Sequence, residues 1–378
     1  MEILSLSSAS ATSEDLPGSP SGKLFTMQVV LKEKVHVRPW THAVYVGEGA
    51  ANVLFRPFLY KKVGKQQKED GTDADLLTHY LMRVAKEPKS ADKPFHLANV
   101  QFEYFWKKIV PLFDSREDMF VQVRMANIPP EAVIHLHKYL EALNTAVGPM
   151  AEFQKRPRKF VGDRIHNWCL VLLVENMLPR ADDERVVEFK PKWLAQSPTA
   201  PKNANTCRCC ALASRNFNRT QEANVGPERY PCPLWLDPER PTPKGKETVR
   251  QKTIARLFND SKEAPAIYEL LKKTHILTML KRLQIEKDAH GPLRASKDDE
   301  EFSTAMTLRD CSLYMRYRIK DNGKETVVVE GSFEAKLADL DKKNADWKFA
   351  EWQEKERVLV EEGWYTGRGQ MKNCALQV

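Results

Sequence analysis

Glu188, Lys190 and Lys192 alternate along the stretch Glu188-Phe189-Lys190-Pro191-Lys192, with Val186-Val187 before it and Trp193-Leu194 after it. The flanking apolar residues predict a strand, and in a strand residues two apart share a face. The two ammonium groups then point the same way, roughly 7 Å apart from the strand rise. Like charges that near repel unless an anion lies between or beside them, so the pair suits a polyphosphate ligand. Pro191 removes a backbone donor, which predicts an edge strand or the end of the strand. The same residues also fit a solvated strand face at a domain edge.

Other residue types along the chain could serve the same chemistry. His42 to Phe55 reads as an apolar strand, a turn holding Gly47 and Gly49, and a second apolar strand. Glycines let a backbone approach a phosphate and offer it free N–H groups. No Gly-Lys-Ser/Thr follows, so this is not a Walker loop, and a plain hairpin has the same signature. Arg83 and Lys86 come next, in a strand or short helix over Leu76 to Ala85. A basic strand residue after a glycine hairpin is the arrangement that pairs with nucleotide phosphates in kinase small lobes; two surface charges would look the same. Arg156-Pro-Arg158-Lys159, with Arg164, forms a compact basic cluster in a loop. Asp310 sits in an alternating strand over Arg309 to Arg318. Glu334 to Leu340 predicts another strand, ending in Asp339, Asp341, Lys342 and Lys343. Acids at a strand end can hold Mg²⁺ through one or two carboxylates, with ligand phosphates completing the shell.

Seven cysteines are present, an odd number with irregular spacing: Cys169, Cys207, Cys209, Cys210, Cys232, Cys311 and Cys374. Free thiols are the default reading. Cys207, Cys209, Cys210 and Cys232 could bind zinc, but read as C-x-C-C with no second pair they argue against it.

The elements that must position these groups are legible as well. Apolar spacing predicts helices over 99–113, 130–147, 248–258, 264–288 and 347–363, and a buried strand over 168–174 that exits at Glu175 into a short linker. Residues 207–219 read as a basic helix or turn carrying Arg208, Arg215 and Arg219. Asn322-Gly323 marks a hairpin. Residues 61–75 read as a polar loop. Residues 221–247, rich in Pro, Gly and charge, read as a surface loop or insertion.

The chain has 378 residues, 42% hydrophobic and 29% charged, enough for a large core or two lobes. Residues 1–23 are rich in Ser, Ala, Gly and Pro and read as a disordered tail. They lack the basic start and apolar run of a signal peptide, and nothing approaches the roughly 20 apolar residues of a membrane span. A soluble intracellular protein, in nucleus or cytoplasm, without membrane insertion, is expected. The net charge of +8 favours an anionic partner. Nucleic acid is the poorer candidate, because the basic residues are not interleaved with an aromatic platform or set on a groove-sized helix.

In this order the parts resemble the inositol-pentakisphosphate 2-kinase family, most like its fungal members, from about Leu24 to Tyr365. Glu188-x-Lys190-Pro191-Lys192 matches that family's signature, and Ala305-Met-Thr-Leu-Arg-Asp-Cys311, Ala338-Asp-Leu-Asp341 and Glu362-Gly-Trp-Tyr365 are similar to its later blocks. The resemblance implies an α+β, two-lobed kinase-like fold, with a smaller nucleotide-binding lobe over 24–174 and a larger catalytic and inositide-binding lobe over 175–378. It implies a monomeric enzyme that uses ATP and Mg²⁺ to phosphorylate the 2-hydroxyl of inositol pentakisphosphate, giving the hexakisphosphate. Carried over residue by residue, Gly47, Glu48, Gly49, Ala50 and Asn52 match the nucleotide loop, Arg83 a phosphate contact and Glu175 the hinge. Lys190 matches the lysine on the ATP phosphates and Lys192 one on the inositide. Asp310 matches the acid that takes the hydroxyl proton, kept ionised with help from Arg309 beside it, and Asp339 the magnesium ligand. Arg208, Lys343, Lys348 and Trp352 fall where the inositide is gripped, and Arg158 and Lys159 both compete for the place of the arginine expected after Arg156-Pro157.

The chain departs from the family after the signature, where Trp193-Leu194-Ala195-Gln196 replaces the usual Gly-Phe-Leu-Pro. It has Cys210 where plant members place an inositide lysine, and the His and Cys zinc site of those relatives has no counterpart in this reading. A non-catalytic binder of inositol polyphosphate or phosphorylated lipid, using the same basic residues, is the alternative; such a binder has no use for Asp310 and Asp339.

Overall fold

The computed structural model describes residues 43–57, 79–88, 97–128, 130–145, 156–220, 230–321, 323, 326–368 and 371–377, with the backbone of three short strands near the start. Most of the expected tail, the polar loop 61–75, residues 221–229 and Asn322 lie outside them. The chain is mixed α+β and divides into two compact units: Met1–Lys108 with Val121–Asn176, and Ile109–Phe120 with Met177–Val378.

In the first unit, β1 (Ile3–Ser5) pairs antiparallel with β3 (Gln28–Val30), inside a stretch expected to lack regular structure at its start. β2 (Phe25–Thr26), β4 (Ala43–Glu48), β5 (Asn52–Pro57), β6 (Tyr80–Ala85), β7 (Val123–Asn127) and β8 (Leu170–Glu175) form one sheet in the order β2-β7-β8-β6-β5-β4. The β4–β5–β6–β8 pairings are antiparallel, so the glycine turn, Arg83 and Glu175 belong to one sheet. α1 (Ala98–Tyr104) runs into a π turn over Phe105–Ile109, where the first unit's segment ends, and a 3-10 turn over Val110–Phe113 that belongs to the second unit follows, rather than the single helix expected. Pro111 has no N–H for an α-helical bond, and Asp114 then turns left-handed at φ 55°. α2 (Pro130–Asn144) lays Val133, Leu136, Leu140 and Leu143 against Val53, Phe55, Met82, Val84 and Leu173 of the sheet. Burial of each such side chain is worth roughly 1.5–3 kcal/mol.

In the second unit, β9 (Glu184–Phe189) is followed by α3 (Arg208–Thr220), α4 (Glu247–Leu257), α5 (Ala264–Lys273), α6 (Ile276–Glu286) and α7 (Glu300–Leu308). β10 (Ser312–Asp321), β11 (Thr326–Val328), β12 (Glu334–Ala338) and α8 (Ala345–Glu361) complete it. β10 pairs antiparallel with β9, β11 and β12. The helix expected over 264–288 breaks at His275, which is left-handed at φ 60°. Residues 233–236, expected in a surface loop, are a buried turn: Leu234, Trp235 and Leu236 are all within 1% of full burial. No helix among the described residues is long and apolar enough to cross a membrane.

Candidate functional site

In the second unit β9 stops at Phe189, so Lys190 and Lys192 lie beyond the strand and do not share a strand face as expected. Pro191 lacks the donor that would extend the ladder, and Lys192 takes the left-handed φ of 57°. The turn converges the two side chains instead. Lys190 Nζ donates to Asp339 Oδ2 at 2.9 Å and to the Asp310 main-chain oxygen at 2.7 Å, and lies 3.5 Å from Asp310 Oδ1. Lys192 Nζ donates to Asp310 Oδ1 at 2.9 Å, and Lys343 Nζ to Asp310 Oδ2 at 2.7 Å.

Two turns aim the acids. Asp310 is not in the strand but in the turn between α7 and β10, its N–H donating to the Thr307 carbonyl. Asp339 follows the last residue of β12 and is left-handed at φ 56°. Non-glycine residues in that region cost of order 1–3 kcal/mol and persist where the surroundings over-determine them, often at functional sites. Burial opposes the charge on Asp310, but Lys343 and then Lys192 outweigh it and hold the carboxyl well below the usual range. Lys190 loses by burial and gains more from Asp339 and Asp310, so its ammonium is held above its ordinary value.

Arg309 is not among the groups that keep Asp310 ionised. It is buried, ion-paired with buried Asp288, and its guanidinium lies 3.5 Å from the centre of the Trp193 ring.

In the first unit Gly47 and Glu48 close β4, Gly49 and Ala50 make the turn, and Asn52 opens β5, with Gly49 N–H donating to Asn52 O. A Cβ on Gly47 or Gly49 would meet nothing within 4 Å, so the turn is open above both. The Asn52 amide, its oxygen facing Arg83, accepts from Arg83 Nη2 at 2.6 Å and Nε at 3.1 Å. Glu175 Oε2 accepts from Gln122 N–H at 3.1 Å.

Glu48 belongs to the interior of this unit. Its fully buried carboxylate takes Arg156 Nε at 2.7 Å, Arg156 Nη2 at 2.9 Å and Lys86 Nζ at 2.6 Å, while Lys86 also reaches Asp163 at 3.1 Å. Burial raises its pKa, but hydrogen bonds from Arg156 and Lys86 win and lower it. The turn is thus anchored from beneath by a buried ion network. Arg158 and Lys159 are exposed in a 3-10 turn beside this anchor.

A family model described as inositol-pentakisphosphate 2-kinase matches residues 45–358. The chain belongs to the inositol-pentakisphosphate 2-kinase family. It is similar to a relative from Yarrowia lipolytica (strain CLIB 122 / E 150) named inositol-pentakisphosphate 2-kinase, 29% identical over 229 residues that cover 55% of this chain and 68% of the relative.

For a member of the inositol-pentakisphosphate 2-kinase family, the inositide residues carried over from the motif divide sharply by burial. Lys192 and Lys343 meet at Asp310. Lys348 is exposed and paired with Glu351 at 2.8 Å. Arg208 and Trp352 are buried instead. Arg208 Nε donates to Glu356 Oε2 at 2.7 Å, its guanidinium lies against Trp193, and Trp352 packs edge-on to Phe302. Glu356, fully buried, also accepts from Ser197, Thr199 and Tyr365. Arg208 serves to satisfy that carboxylate.

The cysteines regroup. Cys207, Cys210, Cys232 and Cys374 are buried, and their Sγ atoms all lie within 4.8 Å of one another. Cys207 and Cys232 Sγ are 3.7 Å apart, and the Cys207 and Ala375 N–H groups point at the sulfurs of Cys374 and Cys232. Cys209 stands outside the cluster. The C-x-C-C reading hid a C-x-x-C pair, Cys207 and Cys210, one helical turn apart at the start of α3. Cys374 carried no local signal.

Proposed function

We propose that this chain transfers the terminal phosphoryl group of ATP to the 2-hydroxyl of inositol pentakisphosphate, giving inositol hexakisphosphate. One observation carries the reading: a carboxylate, Asp310, held under three lysine ammonium groups from two separate segments, with a second acid, Asp339, bound to one of the same lysines. Transfer of phosphoryl groups rests on positioning and on neutralising charge. Both substrates are dense anions, and Lys190, Lys192 and Lys343 supply fixed positive charge at one point.

Asp310 is the acceptor for the hydroxyl proton. With three ammonium groups on it the carboxylate is a weak base. Substrate phosphates compete for Lys192 and Lys343, and as those contacts transfer to phosphate the Asp310 pKa rises toward the range where a base is effective. Lys190, bound to both acids, fits the ATP phosphates. Asp339 is 45% exposed and free of backbone donors in the contacts described, so its carboxylate fits Mg²⁺ through one ligand oxygen. Bound there, Mg²⁺ would neutralise charge on the phosphate oxygens.

The first unit is read as the nucleotide-binding lobe of a kinase-like pair, through the open Gly47–Gly49 turn, Asn52, Arg83 and Glu175, and the second as the catalytic and inositide lobe. ATP as donor goes with an intracellular enzyme, in nucleus or cytoplasm. The four clustered thiols fit a structural zinc ion. A tetrahedral ZnS₄ centre with Zn–S of about 2.3 Å has S···S edges of about 3.8 Å, and the Cys207–Cys232 separation is 3.7 Å.

The test is direct. Purified protein incubated with Mg-ATP and inositol pentakisphosphate should yield the hexakisphosphate; absence of product where a related kinase works would sink the assignment.

A further inference from the structure

Gln284, on α6, is 1% exposed and contributes nothing to the cluster of acids and lysines. Its amide nevertheless ties together the two segments that supply Lys192 and Asp310. Nε2 donates to the Lys192 carbonyl at 2.8 Å and to the Leu308 carbonyl at 3.1 Å, and Oε1 accepts from Leu194 N–H at 2.9 Å. Both amide donors and one oxygen lone pair are thereby used. Leu308 ends α7, two residues before Asp310. Lys192 is the left-handed residue that aims its ammonium at Asp310 Oδ1. A strained residue with a long side chain keeps that conformation only when its surroundings hold it. Here the hold is one side chain gripping the carbonyl of Lys192 and the N–H two residues on. The Gln284 main-chain carbonyl adds a second tie, accepting from Arg309 Nη2 at 3.1 Å, next to Asp310.

We propose that Gln284 is a positioning residue for the transfer reaction: its amide fixes the Lys192 turn against the Asp310 turn, and so sets the lysine on the base. The proposal rests on the roles given to Lys192 and Asp310 above. A buried glutamine that only satisfied stray carbonyls would matter to stability alone. The positioning role makes a sharper demand, that its effect pass through Lys192.

The experiment is a double-mutant cycle on kcat/KM for inositol pentakisphosphate, with thermal unfolding and ATP binding measured on each variant. Gln284→Met keeps the volume and removes the three hydrogen bonds of the amide, leaving the main-chain tie to Arg309. It should lower kcat/KM by about 10²-fold, the cost of an ångström-scale misplacement, while the Kd for ATP stays within about twofold. In the Lys192→Ala background the same substitution should cost less than about threefold. Gln284→Asn, which keeps the amide but is one methylene too short to span the two turns, serves if Gln284→Met does not fold, with the same coupling expected. Folded variants with unchanged kcat/KM, or losses that simply multiply with that of Lys192→Ala, overturn the positioning role alone. A wild-type protein that makes no hexakisphosphate overturns the reaction assignment and this role with it.

Discussion

Lys343 Nζ lies 2.7 Å from Asp310 Oδ2 while Lys192 takes Oδ1, so each oxygen of this carboxylate carries its own ammonium partner. An acid so paired is of little use as a plain structural anchor at 43% exposure, where ion pairs contribute little. Asp310→Asn keeps the shape and removes the proton acceptor. Turnover should fall by about 10²–10⁴-fold, the usual contribution of a general base, with ATP affinity unchanged. Full rate in the variant would remove Asp310 from the role of base.

The pH profile follows from the same contacts. Lys343 and Lys192 depress the native pKa of Asp310, so the stability it contributes is fully present above about pH 4, the unfolded value, and is lost as pH falls through the native one. Asp310, the proposed base, is likewise already ionised at neutral pH. Lys343→Ala removes the largest of the opposing charges. The acid limb of kcat/KM should then move to higher pH than in the wild type. A limb that stays put, or moves down, contradicts the pairing.

Glu48 is a matter of stability. Its carboxylate neutralises Lys86 and Arg156 with no exposure to solvent. Glu48→Ala leaves buried Arg156 without its carboxylate and Lys86 with Asp163 alone, which costs about 3–5 kcal/mol, and it loosens the glycine turn above. Denaturant unfolding should show the loss, together with a raised KM for ATP. A destabilisation under about 1 kcal/mol, on the same scale, would mean that water reaches the site.

For the thiol cluster, metal analysis of the purified protein should find zinc near one per chain. Cys210→Ser should lose it and lower the melting temperature, whereas Cys209→Ser, outside the cluster, should keep it. Equal zinc in wild type and Cys210→Ser counts against a metal centre at these four residues.

How far the sequence reveals this site depends on the range over which each signal acts. Periodicity located β4, β5 and α8 within a few residues, because each has one buried face, whereas β8 and β10, buried on both faces over 171–173 and 315–317, were located by their apolar and aromatic content. The motif residues Lys190, Lys192, Asp310 and Asp339 were legible as a group, yet their geometry was not. The strand rule placed both lysines on one face, whereas the turn after Phe189 and the left-handed φ of Lys192 bring them together. Left-handed conformations at lysine, aspartate and histidine leave no mark in composition, so the break at His275 was unreadable as well. The burial of Arg208, Arg309 and Trp352 was not legible, because charge and aromaticity do not report burial; their partners Glu356, Asp288 and Phe302 come from other segments. Cys374 was beyond any local pattern.

Cys207 bonds through its N–H to Cys374 Sγ across 167 positions, and Met371 and Ala375 pack into the same core as Trp193 and Trp235. During synthesis the ribosome delivers α3, with its arginines and half of its thiols, long before that partner exists. The interior of the second unit therefore cannot close as it emerges. Trp193 and the Cys207–Cys210 pair lack this part of their cover until residues 371–375 have been made.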